Sequence, residues 1–196
     1  MINIWGDLFG TSGFNSHVRQ LANALYEVNN GNVRLQTRLP ENWVRLVSDN
    51  ELKMIQASAS RDMVTIFIGH PQFLPLAYSE SDNVIPFVVW EGDKVPKMWL
   101  QYLLDERIKL IFVPSNHVIT AILNTASDNC ANHDINDLSK CETFKLEPKI
   151  KIIPHGWNQT LFIPREKQDK NTFVFVANKG FAQGIQDRGG IGILLQ

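Results

Sequence analysis

The chain's first loop, GDLFGTSGFNSH (residues 6–17), carries Gly10 and Gly13 ahead of an amphipathic stretch. Glycines there let the backbone approach a ligand closely. A helix opening at Gly13 would aim its free N–H groups and the positive end of its dipole at the same place, which favours an anion. The plainer reading is a tight turn that needs glycine for its dihedral angles. The loop is not G-x-G-x-x-G, and no acidic residue closes the second apolar run where a dinucleotide ribose would be held, so a nicotinamide dehydrogenase is disfavoured.

Three further loops carry polar groups of the same kind. His70, in GHP, could donate a hydrogen bond to a substrate or move a proton, or could simply bond a nearby carbonyl. Glu91 and Asp93, in WEGDK, could accept from sugar or alcohol hydroxyls, or could belong to a solvated turn. In HGWN (155–158), Gly156 suggests a special backbone angle, and its neighbours could be structural. Near the end, NKGFAQGIQDRGG places Lys179 and Arg188 in a loop between an apolar run and IGILLQ. Ser12 and Ser16 stand near His17, but no spacing gives a nucleophile, base and orienter. Polar groups around a crevice without a covalent nucleophile suit binding or group transfer. Cys130 and Cys141, the two cysteines, flank a polar stretch. They read as unrelated thiols, as a disulfide, or, least readily, as a metal site with His133, whose spacing fits no common zinc pattern.

These loops follow short apolar runs. Strands are expected at 2–5, 33–37, 63–69, 84–90, 108–114 and 149–154. Helices are expected at 13–28, around 49–59, at 95–107 and at 115–124. Residues 125–148, rich in Asn and Asp, read as an insertion or mobile loop. Apolar runs that do not alternate, separated by helices, indicate a parallel sheet covered on both faces. The fold class is therefore α/β and Rossmann-like, and chemistry is expected just beyond the carboxyl ends of the strands.

The totals exclude several classes. A net charge of −1 with 19 basic and 20 acidic residues gives no support to a nucleic-acid partner. No apolar run reaches the ~18 residues that span a bilayer, and MINIWGDLFG lacks the charge pattern of a secretory signal. A cytoplasmic protein is the default, with a membrane-peripheral placement left open.

Taken in order, the loops resemble those of family 4 glycosyltransferases of the GT-B fold. GTSGFNSHVRQLANAL is similar to that family's first glycine loop and helix. WEGDKVPKMWL and IKLIFVPSNHV resemble its W-E-x-D-x-(L/V)-P-x-x-W and V-P-S segments. KIIPHGWNQTLFIP resembles the stretch that closes its N-terminal domain, with Trp157 in place of the common Val, and FVFVANKGFAQGIQDRGGIGILL resembles the first strand, phosphate loop and helix of its second domain.

The resemblance implies an acceptor-side Rossmann-like domain over 1–164, a linker over 165–171 and the beginning of a donor-binding domain over 172–196. It implies hexose transfer from a nucleotide sugar to an acceptor hydroxyl with retention of configuration, without a bound metal or other cofactor. Lys179 and Arg188 would clamp the donor diphosphate, with Gly13 near the phosphate or the transferred sugar. His70 would contact the donor sugar as the catalytic-site histidine, and Glu91 and Asp93 would line the acceptor side. The acceptor stays open among glycan, lipid and small molecule.

The family's E-x7-E motif does not occur before the sequence ends. The 196 residues alone are therefore expected to lack most of the donor site and to be inactive, and the residues after about 165 are expected to be mobile, swapped or packed on a neighbour, the last two through a homo-oligomer. The competing readings are a non-catalytic binding module derived from such a domain and another nucleotide-binding Rossmann enzyme.

Overall fold

The computed structural model describes residues 1–10, 12–130 and 141–156, apart from the side chains of 129 and 130. These residues belong to one compact unit, Met1–Gly156. The end of the expected first domain, the linker and the segment with Lys179 and Arg188 lie outside the described residues.

Six parallel strands form one sheet: β1 (Ile2–Gly6), β2 (Val33–Gln36), β3 (Val64–Ile68), β4 (Asn83–Phe87), β5 (Ile111–Val113) and β6 (Ile150–Ile152), in the order β2-β1-β3-β4-β5-β6. The helices between them are α1 (Gly13–Val28), α2 (Asp49–Gln56), α3 (Leu74–Glu80), α4 (Lys97–Leu103), α5 (Asn116–Cys130) and α6 (Glu142–Leu146). This is the expected α/β, Rossmann-like architecture. Among the described residues no helix is long and apolar enough to cross a membrane.

Both faces of the sheet are apolar, so its strands read as continuous runs. Ile4, Leu35, Ile66, Ile68 and Phe87 point to one face and pack with Val18 and Ala22 of α1 and Met54 of α2. Phe67, Val84, Ile111 and Val113 point to the other and pack with Leu74 and Ala77 of α3, Trp99 and Leu103 of α4 and Ile122 of α5. The pairing Trp5↔Phe67 beside Ile4↔Ile66 fixes this register, since a slip by one residue would exchange the two faces. At the β2 side a polar ladder fills the second face. There Asn3 Nδ2 donates to Thr65 Oγ1 (3.1 Å), and Arg34 Nη1 donates to Asn3 Oδ1 (3.1 Å).

Several boundaries differ from the sequence reading. α3 was not expected at all. Two prolines look like breakers there, but Pro71 opens a single 3-10 turn and Pro75 falls in the first turn of α3, where a missing N–H does no harm. Residues 125–148 are not one continuous loop. α5 runs on to Cys130 because Thr125 and Ala126 keep the buried spacing set by Ala121 and Ile122, and α6 occupies 142–146. The Thr125 hydroxyl bonds both the Ala121 and the Val95 carbonyls (3.0 and 3.1 Å), so this polar residue is satisfied inside the core. Residues 131–140 lie outside the described set. Cys141 is disulfide-bonded, which removes it as a thiolate ligand.

Candidate functional site

The strand order places β1 between β2 and β3. The chain leaves β1 toward β2 and leaves β3 toward β4, so the connections part in opposite directions and leave a crevice beyond the carboxyl ends of β1 and β3. In open parallel sheets this switch point is where ligands bind. The two loops that meet there are 7–12 and 69–71, the ones that carry the glycines and His70.

The loop after β1 is braced by one side chain. Asn15, 7% exposed, donates through Nδ2 to the carbonyls of Asp7 (2.9 Å) and Phe9 (3.0 Å). Its Oδ1 accepts from the Ser12 N–H (3.0 Å), and Ser12 Oγ accepts from the Asn15 N–H (3.3 Å), which completes a capping box at the start of α1. Gly10 lies at φ +132°, and a Cβ there would fall 2.6 Å from Asn15 Oδ1. Gly6 is equally required, because its Cβ would meet Val18 Cγ2 at 2.5 Å. Gly13 has no atom within 4 Å of a built Cβ and no left-handed φ. Of the two glycines singled out in the sequence, Gly10 is the one this turn requires. A hollow of about 220 Å³ lies beside the turn, lined by Leu8, Gly10, Ser12, Asn15, Ser16 and Arg19.

His70 is exposed at the exit of β3. Its ring is 6.0 Å from that of Phe14 and 5.4 Å from that of Trp99. Trp99 is buried and donates through Nε1 to Gln72 Oε1 (2.8 Å), and Trp90 packs edge-on against it at 5.1 Å. The Trp90 indole N–H closes the turn after β4 by donating to the Lys94 carbonyl (2.7 Å). His70 and the 91–93 turn therefore stand at two ends of one aromatic cluster, although they are far apart in sequence.

Glu91 and Asp93 are exposed. Their carbonyls fasten the turn to α5: His117 Nε2 donates to Glu91 O (3.0 Å) and Asn124 Nδ2 donates to Asp93 O (3.2 Å). Lys94 adds an exposed ion pair with Asp128 (2.8 Å).

A pair of imidazoles lies at the same edge of the sheet. His17, on α1, meets His155, beyond β6, with centroids 4.4 Å apart and planes at 89°. Phe87, at the end of β4, packs 4.5 Å from His17 and stacks 6.0 Å from His155. His17 Nδ1 is buried without a hydrogen-bond partner. Burial, and secondarily the charge of His155, lowers the His17 pKa to about 4, and burial lowers that of His155. Both rings are therefore neutral at pH 7.

The structure thus brings Gly10, Gly13, His70, Glu91 and Asp93 to one edge, while Lys179 and Arg188 fall outside the described residues. Sequence reasoning missed Asn15, the tryptophan pair and His17. The S-x-x-N spacing of residues 12–15 was a readable capping signal for the first; the others depend on tertiary contacts. Among the described residues no group of three or more His, Cys, Asp or Glu is placed to hold a metal ion. Comparison with known protein families, with curated proteins and with solved structures finds no match.

Proposed function

We propose that this chain is the acceptor-side part of a retaining glycosyltransferase that moves a hexose from a nucleotide sugar to an acceptor hydroxyl. The observation that carries the reading is the placement of exposed His70 at the β1/β3 switch point, on the same aromatic cluster as the turn bearing Glu91 and Asp93. Aromatic faces suit the C–H surface of a sugar, and carboxylates accept from its hydroxyls. In this reading His70 contacts the transferred sugar, and Glu91 and Asp93 face the acceptor. Lys179 and Arg188 hold the diphosphate, where negative charge grows as the glycosidic bond to phosphate breaks. Fixed cations stabilise that charge more in the transition state than in the ground state.

The test is transfer from a panel of nucleotide sugars by a longer version that carries a complete donor domain. Lys179→Ala and Arg188→Ala should each abolish transfer with little change in stability. Near-normal turnover in both variants rejects the clamp.

One observation favours a second reading, a binding module without catalysis. The Ser12 N–H, which a phosphate would need, is already taken by Asn15 Oδ1, so the first glycine loop is filled by its own side chain. Clean folding of the longer version with no response to any nucleotide sugar would support that reading.

A further inference from the structure

We propose that the His17–His155 contact is a pH-sensitive clasp, which fastens the segment leaving β6 to α1 and opens in mild acid. β6 is the edge strand of the sheet, and its last ladder bond runs from Ile153 N to Val113 O (2.8 Å). Residues 153–156 beyond it are exposed. What holds His155 is aromatic contact alone among the interactions described for it: edge-to-face on His17 and stacked on Phe87. His17 has no equivalent freedom, because it is set in the second turn of α1 with its Nδ1 buried and without a partner.

Neutral rings suit this arrangement, since an edge-to-face pair needs no charge and the apolar Phe87 offers none. A proton on either ring places a cation where burial disfavours it, and a second proton sets two like charges a ring's width apart. Opening takes the His155 ring off His17 and Phe87, where it can be protonated without that penalty, so protons favour the open form.

The ionisable groups on the surrounding elements do not offset this. They are Asp7 after β1, His70 after β3, Glu91 and Asp93 after β4, His117 in α5, Arg19 in α1 and Lys151 in β6. None of them contributes to the lowered proton affinity of either ring, whose causes are burial and, for His17, the charge of His155. Among the described residues no carboxylate therefore raises the proton affinity of either ring. The clasp stands independently of the glycosyltransferase reading.

The experiment is amide hydrogen exchange of the whole 196-residue chain, followed residue by residue between about pH 7 and about pH 4.5 and corrected for intrinsic exchange. The proposal expects protection at Ile153, whose N–H bonds Val113 O, to fall about tenfold across that range, while β3 keeps its protection. His155→Phe keeps a ring against Phe87 and His17 but removes the site that opening frees to take a proton, and it should leave much of the protection in place at low pH. His155→Tyr, a ring that does not titrate in this range, serves the same purpose if the first variant does not fold. Unchanged protection of Ile153 in the native chain, or loss in the Phe variant equal to that in the native chain, overturns the clasp.

Discussion

Gly10 and Asn15 fit only as a pair: a side chain at position 10 would press on the Asn15 amide at 2.6 Å, and that amide is what closes the loop after β1. The turn at the switch point is thus built in advance by its own residues. Gly10→Ala should destabilise the protein by about 2–3 kcal/mol through the left-handed φ and the clash. Asn15→Ala should cost a similar ~2–3 kcal/mol, because it leaves the carbonyls of Asp7 and Phe9 and the N–H of Ser12 without their partner. Urea unfolding of the two single variants and the double variant checks this, and the double variant should lose less than the sum. Full additivity would mean the two residues act separately.

Gly13→Ala should leave stability unchanged or raise it by ~0.5–1 kcal/mol, since the position is open and Ala favours the first turn of α1. The same substitution separates two roles. If Gly13 lies against a ligand phosphate, affinity for that ligand drops while the melting temperature does not.

Acid should weaken the fold through His17. Its folded-state pKa of about 4 lies below the ordinary 6.5, so between those values the unfolded chain binds a proton that the folded chain refuses. The contribution of the neutral ring is therefore complete above the ordinary value and is lost as pH falls toward the folded one. The loss is roughly 1–2 kcal/mol once solvent screening of the partly exposed ring is discounted. Denaturant midpoints measured across this window should show the slope in the native chain and a shallower one in His17→Phe. Equal slopes would place the acid sensitivity elsewhere.

Thr125→Val keeps the shape of a buried residue but removes a hydroxyl that serves two carbonyls, Ala121 O and Val95 O. A cost of ~1–2 kcal/mol is expected, mostly from leaving Val95 O unsatisfied where the 90–95 turn docks on α5. Calorimetry reads it directly, and a neutral result would show that water reaches that carbonyl.

The sheet was legible because its strands are apolar on both faces and glycine or proline marks many of their ends. That is why β1, β3 and the helix α1 were read almost to the residue. α3 was hidden by Pro71 and Pro75, which stop a helix in its interior but suit its first turn. The length of α5 was hidden by its polar composition, because the residues that continue its buried face are as small as Ala126 and as polar as Thr125. The loops after β1, β3 and β4 were legible from strand ends alone. Which glycine mattered was not, since Gly10 is constrained by Asn15 and only a folded turn reveals it. The meeting of His17 with His155, and of His70 with Trp99, joins residues from separate loops and helices, and no local spacing encodes either.

The central claim is that the carboxyl edge at the β1/β3 switch point receives a nucleotide sugar. Its most direct test is a titration of an isotope-labelled longer version, carrying a complete donor domain, with a panel of nucleotide sugars, followed by backbone amide shifts. The account predicts saturable shifts at Gly10, Gly13, Gly69 and His70, weakened by His70→Ala, together with shifts around Lys179 and Arg188. Shifts confined to the amino-terminal edge of the sheet, or no saturable shift with any member of the panel, would contradict it.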